Sequence, residues 1–399
     1  MQDILYLVHR IPYPPNKGDK VRSYHILQHL TQRYRVHLGT FIDQPQDWEH
    51  VAALKEICAS VQVLSLSGWQ GKRRCLGGLL RGTPLSVAYY RDAAMQRWVD
   101  ATVQSHAIHH AVIFSAAMQQ FVDGKALNVI LDLVDVDSAK WERYTKDHRF
   151  PLSWIYQREA RTLLAYETAS ALHSQATLLS TPAEVALLAA RAPACQSKLH
   201  SMQNGVNATF FSPDRQRPSP YPNHCPVLIF TGAMDYWPNV DAVNWFVSTL
   251  LPQIHAVQPD VVFYIVGSNP SPAVQQLADG QHVFVTGSVP DIRPYLQHAT
   301  LAVVPIRIAR GIQNKVLEAM AMGQSVVVTA ECAQALGEPA SVPIRTARDA
   351  AQFVQHTLTL LQQPEARKVL GQQARDFVQN QYSWPKQLQI LDTLLVVQD

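Results

Sequence analysis

Short apolar runs alternate with amphipathic stretches along almost the whole chain, and the alternation breaks only once. In the first half the apolar runs are Ile4–Val8, Val36–Phe41, Val61–Leu66, Ala111–Phe114, Val129–Asp132 and Leu178–Ser180. Helical periodicity falls between them near Val21–Arg33, Trp48–Ser60, Asp92–Ser105, Leu152–Ala171 and Pro182–Arg191. Repeated strand–helix–strand units predict a parallel sheet, because each helix returns the chain to the edge where the next strand starts. Ser212–Pro226 is dense in proline and polar residues and has no period, which marks a linker. The rhythm then restarts with apolar runs at Val227–Thr231, Val261–Val266, Val283–Thr286, Leu301–Val304 and Ser325–Thr329.

The predicted fold class is therefore α/β, with two Rossmann-like, doubly wound domains facing each other across a cleft. The expected boundaries are 1–212, a linker at 213–226, 227–380, and a terminal helix at 381–399 that can cross back to the first domain. Open α/β sheets bind ligands beyond the carboxyl ends of their strands, so a cleft between two such edges is the expected place for chemistry.

Composition narrows the partners. At 399 residues the chain exceeds what one core usually organises. The balance of 34 basic against 31 acidic residues is too even to suggest a nucleic-acid partner. The 5 cysteines are odd in number and form no C-x-x-C pair, which fits a reducing, cytoplasmic setting. The opening residues read as a strand and not as a signal peptide, and no run of about 18 apolar residues suggests a span. The 16 histidines show no metal-ligand spacing, and neither a metal nor a cofactor is expected.

The most informative stretch is Pro305–Gly323, a strand end, a basic loop with Gly311, and a helix. Glycine lets backbone amides approach an anion, and the amino end of the helix adds positive potential at the same place. Arg310 and Lys315 supply cations for a diphosphate. Lys315 and Glu318 share one helix face, so a carboxylate lies about a turn beyond the phosphates, placed to accept from ribose hydroxyls. The competing reading is an ordinary surface Lys–Glu pair.

Gly311–Gly323, Gly-Ile-Gln-Asn-Lys-Val-Leu-Glu-Ala-Met-Ala-Met-Gly, resembles the donor motif of retaining GT-B glycosyltransferases of family four. That motif has two glutamates separated by seven residues and followed by Ala-Met-Ala. Glu318 matches the second, while Arg310 stands at the first, which implies a branch leaning more on basic residues. Asn204–Asn207, Phe230–Asn239, Val266-Gly267 and Gly287–Asp291 resemble further family segments in the same order. The resemblance assigns donor contacts to Gly232, Gly311, Gln313, Asn314, Lys315, Glu318 and Val289, and catalytic weight to Arg310 and Lys315. The family's usual basic pair after Gly232 is replaced by Asp235–Asn239. Val8–His25 and Asp132–Trp141 resemble a narrower branch, the sugar transferases of PEP-CTERM/exosortase exopolysaccharide systems.

In the first half, Pro12–Lys20 is a strand-to-helix loop expected to face the donor, in which Gly18 is a donor-binding position that allows close backbone approach, with Lys17, Lys20 and Arg22 to attract anions. A plain surface turn is the alternative. Asp132, Asp135 and Asp137 follow a strand. Asp135 is expected to act on an acceptor hydroxyl, with Lys17, Asp19, Arg22 and Asp137 on the acceptor side; helix capping and metal binding are the other readings. Gly68–Pro84 combines Lys72, Arg73 and Arg74 with Trp69, Leu76, Leu79 and Leu80, a loop that could rest on anionic lipid at the inner face of a membrane or be merely solvated.

The resulting expectation is a hexosyltransferase that uses a UDP- or GDP-sugar as substrate and a glycan or lipid-linked acceptor, in exopolysaccharide synthesis, with retention. A non-catalytic nucleotide-sugar sensor or scaffold and a GT-B-shaped UDP-sugar 2-epimerase are the alternatives.

Overall fold

The computed structural model describes the chain except residues 16–17, 223–224, 310, 338–340 and 396–399, and except the side chains at 70, 146 and 147. Two compact units emerge: Met1–Gln203 with Leu388–Asp399, and Asn204–Gln387.

The first unit holds seven strands, β1 (Gln2–Val8), β2 (Tyr34–Ile42), β3 (Ser60–Ser65), β4 (His110–Phe114), β5 (Asn128–Val134), β6 (Ala176–Leu179) and β7 (Leu199–Ser201). Their order is β3-β2-β1-β4-β5-β6-β7, all parallel. Central strands read as continuous apolar runs because helices cover both faces of a parallel sheet. Leu5, Leu7, Ile113, Leu131 and Leu179 are fully buried in one core.

The second unit holds β8 (Val227–Thr231), β9 (Val262–Val266), β10 (Val283–Gly287), β11 (Leu301–Val304), β12 (Val326–Thr329) and β13 (Arg345–Ala347). The parallel order β10-β9-β8-β11-β12-β13 is the doubly wound order. Its own core includes Phe230, Phe246, Phe263 and Phe353. In each sheet the winding reverses once, at β1/β4 and at β8/β11, and these switch points are where loops diverge and leave room for a ligand.

The units divide at Gln203/Asn204 and not near residue 212. Residues after 203 belong to the second unit because the Val206 amide donates to the Tyr382 carbonyl at 2.7 Å and Arg375 donates to the Phe211 carbonyl at 3.1 Å. β7 and β13 escaped the sequence reading because three residues are too few to show a period. Gly68–Arg81 is a helix where a loop was expected. Its glycines lower helix propensity, yet a Cβ at Gly71 would come within 2.2 Å of the Tyr89 ring, so close packing explains that residue. Among the described residues no helix is long and apolar enough to cross a membrane.

Candidate functional site

The site is built where β8 and β9 end in glycines. Gly232 and Gly267 have φ of +152° and +155°, a region that residues with a Cβ seldom enter. A Cβ on Gly267 would lie 1.7 Å from the Gly232 carbonyl oxygen, and one on Gly232 would lie 3.1 Å from Lys315 Nζ. The two glycines thus open a recess that the lysine enters. Gly267→Ala is expected to cost about 2–3 kcal/mol and to weaken donor binding, because backbone would have to move. A thermal melt with and without UDP measures both, and a wild-type melt would contradict the close approach.

Lys315 is carried by the helix Asn314–Ala321, which follows β11 at the switch point. Val316, Leu317 and Met320 anchor that helix in the core. Lys315 Nζ donates to Asn239 Oδ1 at 2.5 Å and sits 4.3 Å from the Phe230 ring centroid. Asn239 is held in turn, its Nδ2 donating to the Ala233 carbonyl at 2.8 Å. Burial pushes the Lys315 ammonium down to about 8, against the attraction of Cys332 and Glu318. Burial likewise pushes Glu318 up to about 7, against the attraction of Lys315. Among the described residues the Glu318 carboxylate has no hydrogen-bond partner. A lysine and a glutamate on one helix face, each driven by burial toward its neutral form, mark a candidate place for a ligand.

Gln313 caps the helix without a side-chain hydrogen bond to its first turn, and Asn314 Oδ1 accepts from Asn204 Nδ2 at 3.1 Å. Gly311 has φ +62°. Val289 lies in the loop after β10 and packs on the second core. The sequence brought Gly232, Lys315 and Glu318 into view but missed Asn239, which reaches Lys315 across 76 positions. Arg310 and Lys17 lie outside the described residues.

At the first unit's switch point, Arg10 donates to Asp19 Oδ2 at 2.6 Å and to Asp43 Oδ2 at 3.0 Å. Burial would raise the Asp19 carboxyl, but Arg10 and His9 hold it below the usual range. His9, just after β1, stacks on Phe114 at 5.7 Å and keeps a buried Nδ1 without a partner among the described atoms. Burial lowers its basicity, so it is neutral at physiological pH. Neither His9 nor Arg10 was singled out by sequence, because only the strand order places them at a switch. Gly18 is exposed at the start of the helix Gly18–Thr31.

Two expectations are corrected here. Arg22 is 1% exposed and donates to both oxygens of Asp132, at 2.7 and 3.0 Å, and to the Met202 carbonyl. Lys20 is buried against Asp47 at 2.8 Å. Their charges are consumed inside the unit and are not offered to an anion.

Asp135 follows Val134, whose φ of +66° is rare for a β-branched residue and marks a backbone held under strain. Asp135 accepts from Ser180 Oγ at 2.7 Å, and Lys140 sits between Asp135 and Asp137 at 3.0 and 2.8 Å. Burial would raise Asp135, but Lys140 and Ser180 hold it low. An ammonium between the two carboxylates takes the position a bridging cation would need. The capping reading also fails for the helix Asp137–Asp147 that follows: Glu184 accepts from the Val136 amide and Glu167 from the Ser138 amide.

With this geometry in place, the comparisons are decisive for the second unit. Residues 225–363 match the family model described as glycosyl transferases group 1. The second unit thus carries a glycosyltransferase group 1 domain. Across 99% of its residues the chain is similar in fold to GT-B structures. Sucrose-phosphate synthase from Thermosynechococcus elongatus shares 16% identity at TM-score 0.73, over 99% of this chain and 98% of that one. HepE from Anabaena in complex with UDP-glucose shares 14% at TM-score 0.68, over 99% of each. WaaG, a glycosyltransferase involved in lipopolysaccharide biosynthesis, shares 16% at TM-score 0.65, over 99% and 100%. No curated protein matches by sequence. The glycosyltransferase fold is thus the two-sheet α/β arrangement described above.

Proposed function

We propose that the enzyme moves a hexosyl group from a UDP-sugar to a glycan or lipid-linked acceptor, with retention, in exopolysaccharide assembly on the cytoplasmic side of a membrane. The observation that carries this reading is Lys315, one helix turn from the Glu318 carboxylate, set against the two apposed glycines that end β8 and β9. In the proposed complex the diphosphate enters the recess, takes the Lys315 proton-bearing amine as its counter-charge, and faces the amino end of the helix, while Glu318 accepts from the ribose. Charge developing on the leaving diphosphate is met by groups already in place, without a metal between the phosphates. Arg310 is proposed as a second cation. HepE's complex with UDP-glucose supports uridine over guanosine donors. Asp135 and Asp137 are proposed to orient the acceptor, with Asp19 beside them.

Membrane contact is proposed through the helix Gly68–Arg81. Trp69, Leu76 and Leu80 are 68%, 64% and 91% exposed, and Lys72, Arg73 and Arg81 flank them. Positions 69, 76 and 80 recur on one helical stripe, which suits an apolar edge dipping below anionic headgroups.

Release of the nucleoside diphosphate from a panel of UDP- and GDP-sugars, UDP or GDP respectively, with and without a lipid-linked acceptor, tests the activity. Acceptor-dependent release is expected. Arginine at the first glutamate position favours one competing reading, a sensor without turnover, and donor binding with no release would support it.

The two shifted groups also set a pH profile. Lys315 must be protonated to bind a dianion, and its value of about 8 predicts that kcat/KM falls as pH rises through 8. Glu318 accepts best when ionised, so kcat/KM should rise through about 7 on the acid side. Glu318→Gln should erase the acid limb and move the alkaline limb to lower pH, because the carboxylate's attraction on Lys315 is gone. A flat profile from about pH 6 to about pH 9 would contradict this.

A further inference from the structure

We propose that Asp3, His37 and His106 form a binding site for a divalent transition metal of zinc type on the first unit, separate from the donor recess. One donor atom from each of these residues lies within 4.8 Å of the others. No spacing in the sequence announces the group, because it joins the start of β1, the middle of β2 and the carboxyl end of the helix Ala93–Ser105.

The sheet register makes the arrangement. Asp3 is opposite Arg35, and His37 two residues on shares that face. His37 is opposite Ser60, whose Oγ lies 2.8 Å from His37 Nδ1. That contact orients the ring and leaves Nε2 directed at Asp3 Oδ1, 2.8 Å away. Ligating histidines commonly have their second nitrogen held in this way. The His106 ring lies 4.3 Å from that of His37 and, among the described residues, forms no hydrogen bond.

Two imidazoles and one carboxylate are the nitrogen and oxygen donors that zinc accepts, with a fourth position open to water. Closing the donors to tetrahedral spacing needs a movement of about 1.5 Å, available to the exposed His106. Arg35 opposes the cation, its Nε lying 3.1 Å from Asp3 Oδ1, so its removal should tighten binding. Bound metal would tie β1 and β2 to the helix and act as a clip on the first unit.

Tag-free enzyme titrated with zinc chloride, with magnesium chloride as the comparison, tests the proposal by calorimetry and thermal melting. Zinc at about a hundredfold excess over its Kd should raise Tm by about 5–10 °C, and magnesium should not. His106→Ala and Asp3→Asn should lose the response while keeping wild-type UDP release, and Arg35→Ala should bind zinc several-fold more tightly. No zinc response in the wild type, or an undiminished one in His106→Ala, would overturn the site.

Discussion

Lys315→Met is expected to lower kcat/KM for UDP-sugar by about a thousandfold while leaving the protein at least as stable as the wild type. The loss follows from the geometry: the amine is the one described cation placed against Gly232, and methionine keeps the stem but not the charge. The gain follows from the shifted titration. The folded value, about 8, lies below the unfolded 10.5, so a charged Lys315 costs stability at neutral pH, and that cost is relieved as pH rises from 8 through 10.5. Removing the charge should recover roughly 1–3 kcal/mol at pH 7, read as a higher Tm. Coupled loss of activity and stability would instead point to a structural lysine. Glu318→Ala should behave similarly in direction, since burial holds its carboxyl well above the usual range.

The second large effect lies in the first unit. Asp132 is fully buried, and its two oxygens take both hydrogen bonds from Arg22. Asp132→Ala would strand a guanidinium in an apolar interior and should destabilise the unit by about 3–5 kcal/mol in denaturant unfolding. Replacing both partners, as Arg22→Met with Asp132→Leu, should recover much of that loss, because no buried charge then lacks its opposite. A single-variant loss below about 1 kcal/mol would mean that water reaches the pair.

These two sites show what the sequence could and could not disclose. The strand–helix rhythm is written locally, in runs that any window can detect, and both sheets follow from it. The donor helix is equally local: glycine, lysine and glutamate lie within one short segment. Arg22 looked like a surface cation because its partner is 110 positions away, and Lys20 because Asp47 is 27 positions away. Asn239 became visible only once the turn after β8 had folded against the helix that carries Lys315. The helix Gly68–Arg81 was hidden by its glycines, of which Gly71 is required by the Tyr89 ring and Gly78 by the Ala88 side chain. Long-range pairing, and not composition, is what the linear reading lacked.

The central claim is that the recess lined by Gly232, Gly267, Asn239 and Lys315 receives a diphosphate. Calorimetric titration of UDP and of uridine into wild type and Lys315→Met addresses it directly. UDP should bind the variant at least about tenfold more weakly than the wild type, the loss of one charge-assisted contact, while uridine binds both alike. Equal UDP affinity in the two proteins would contradict the account.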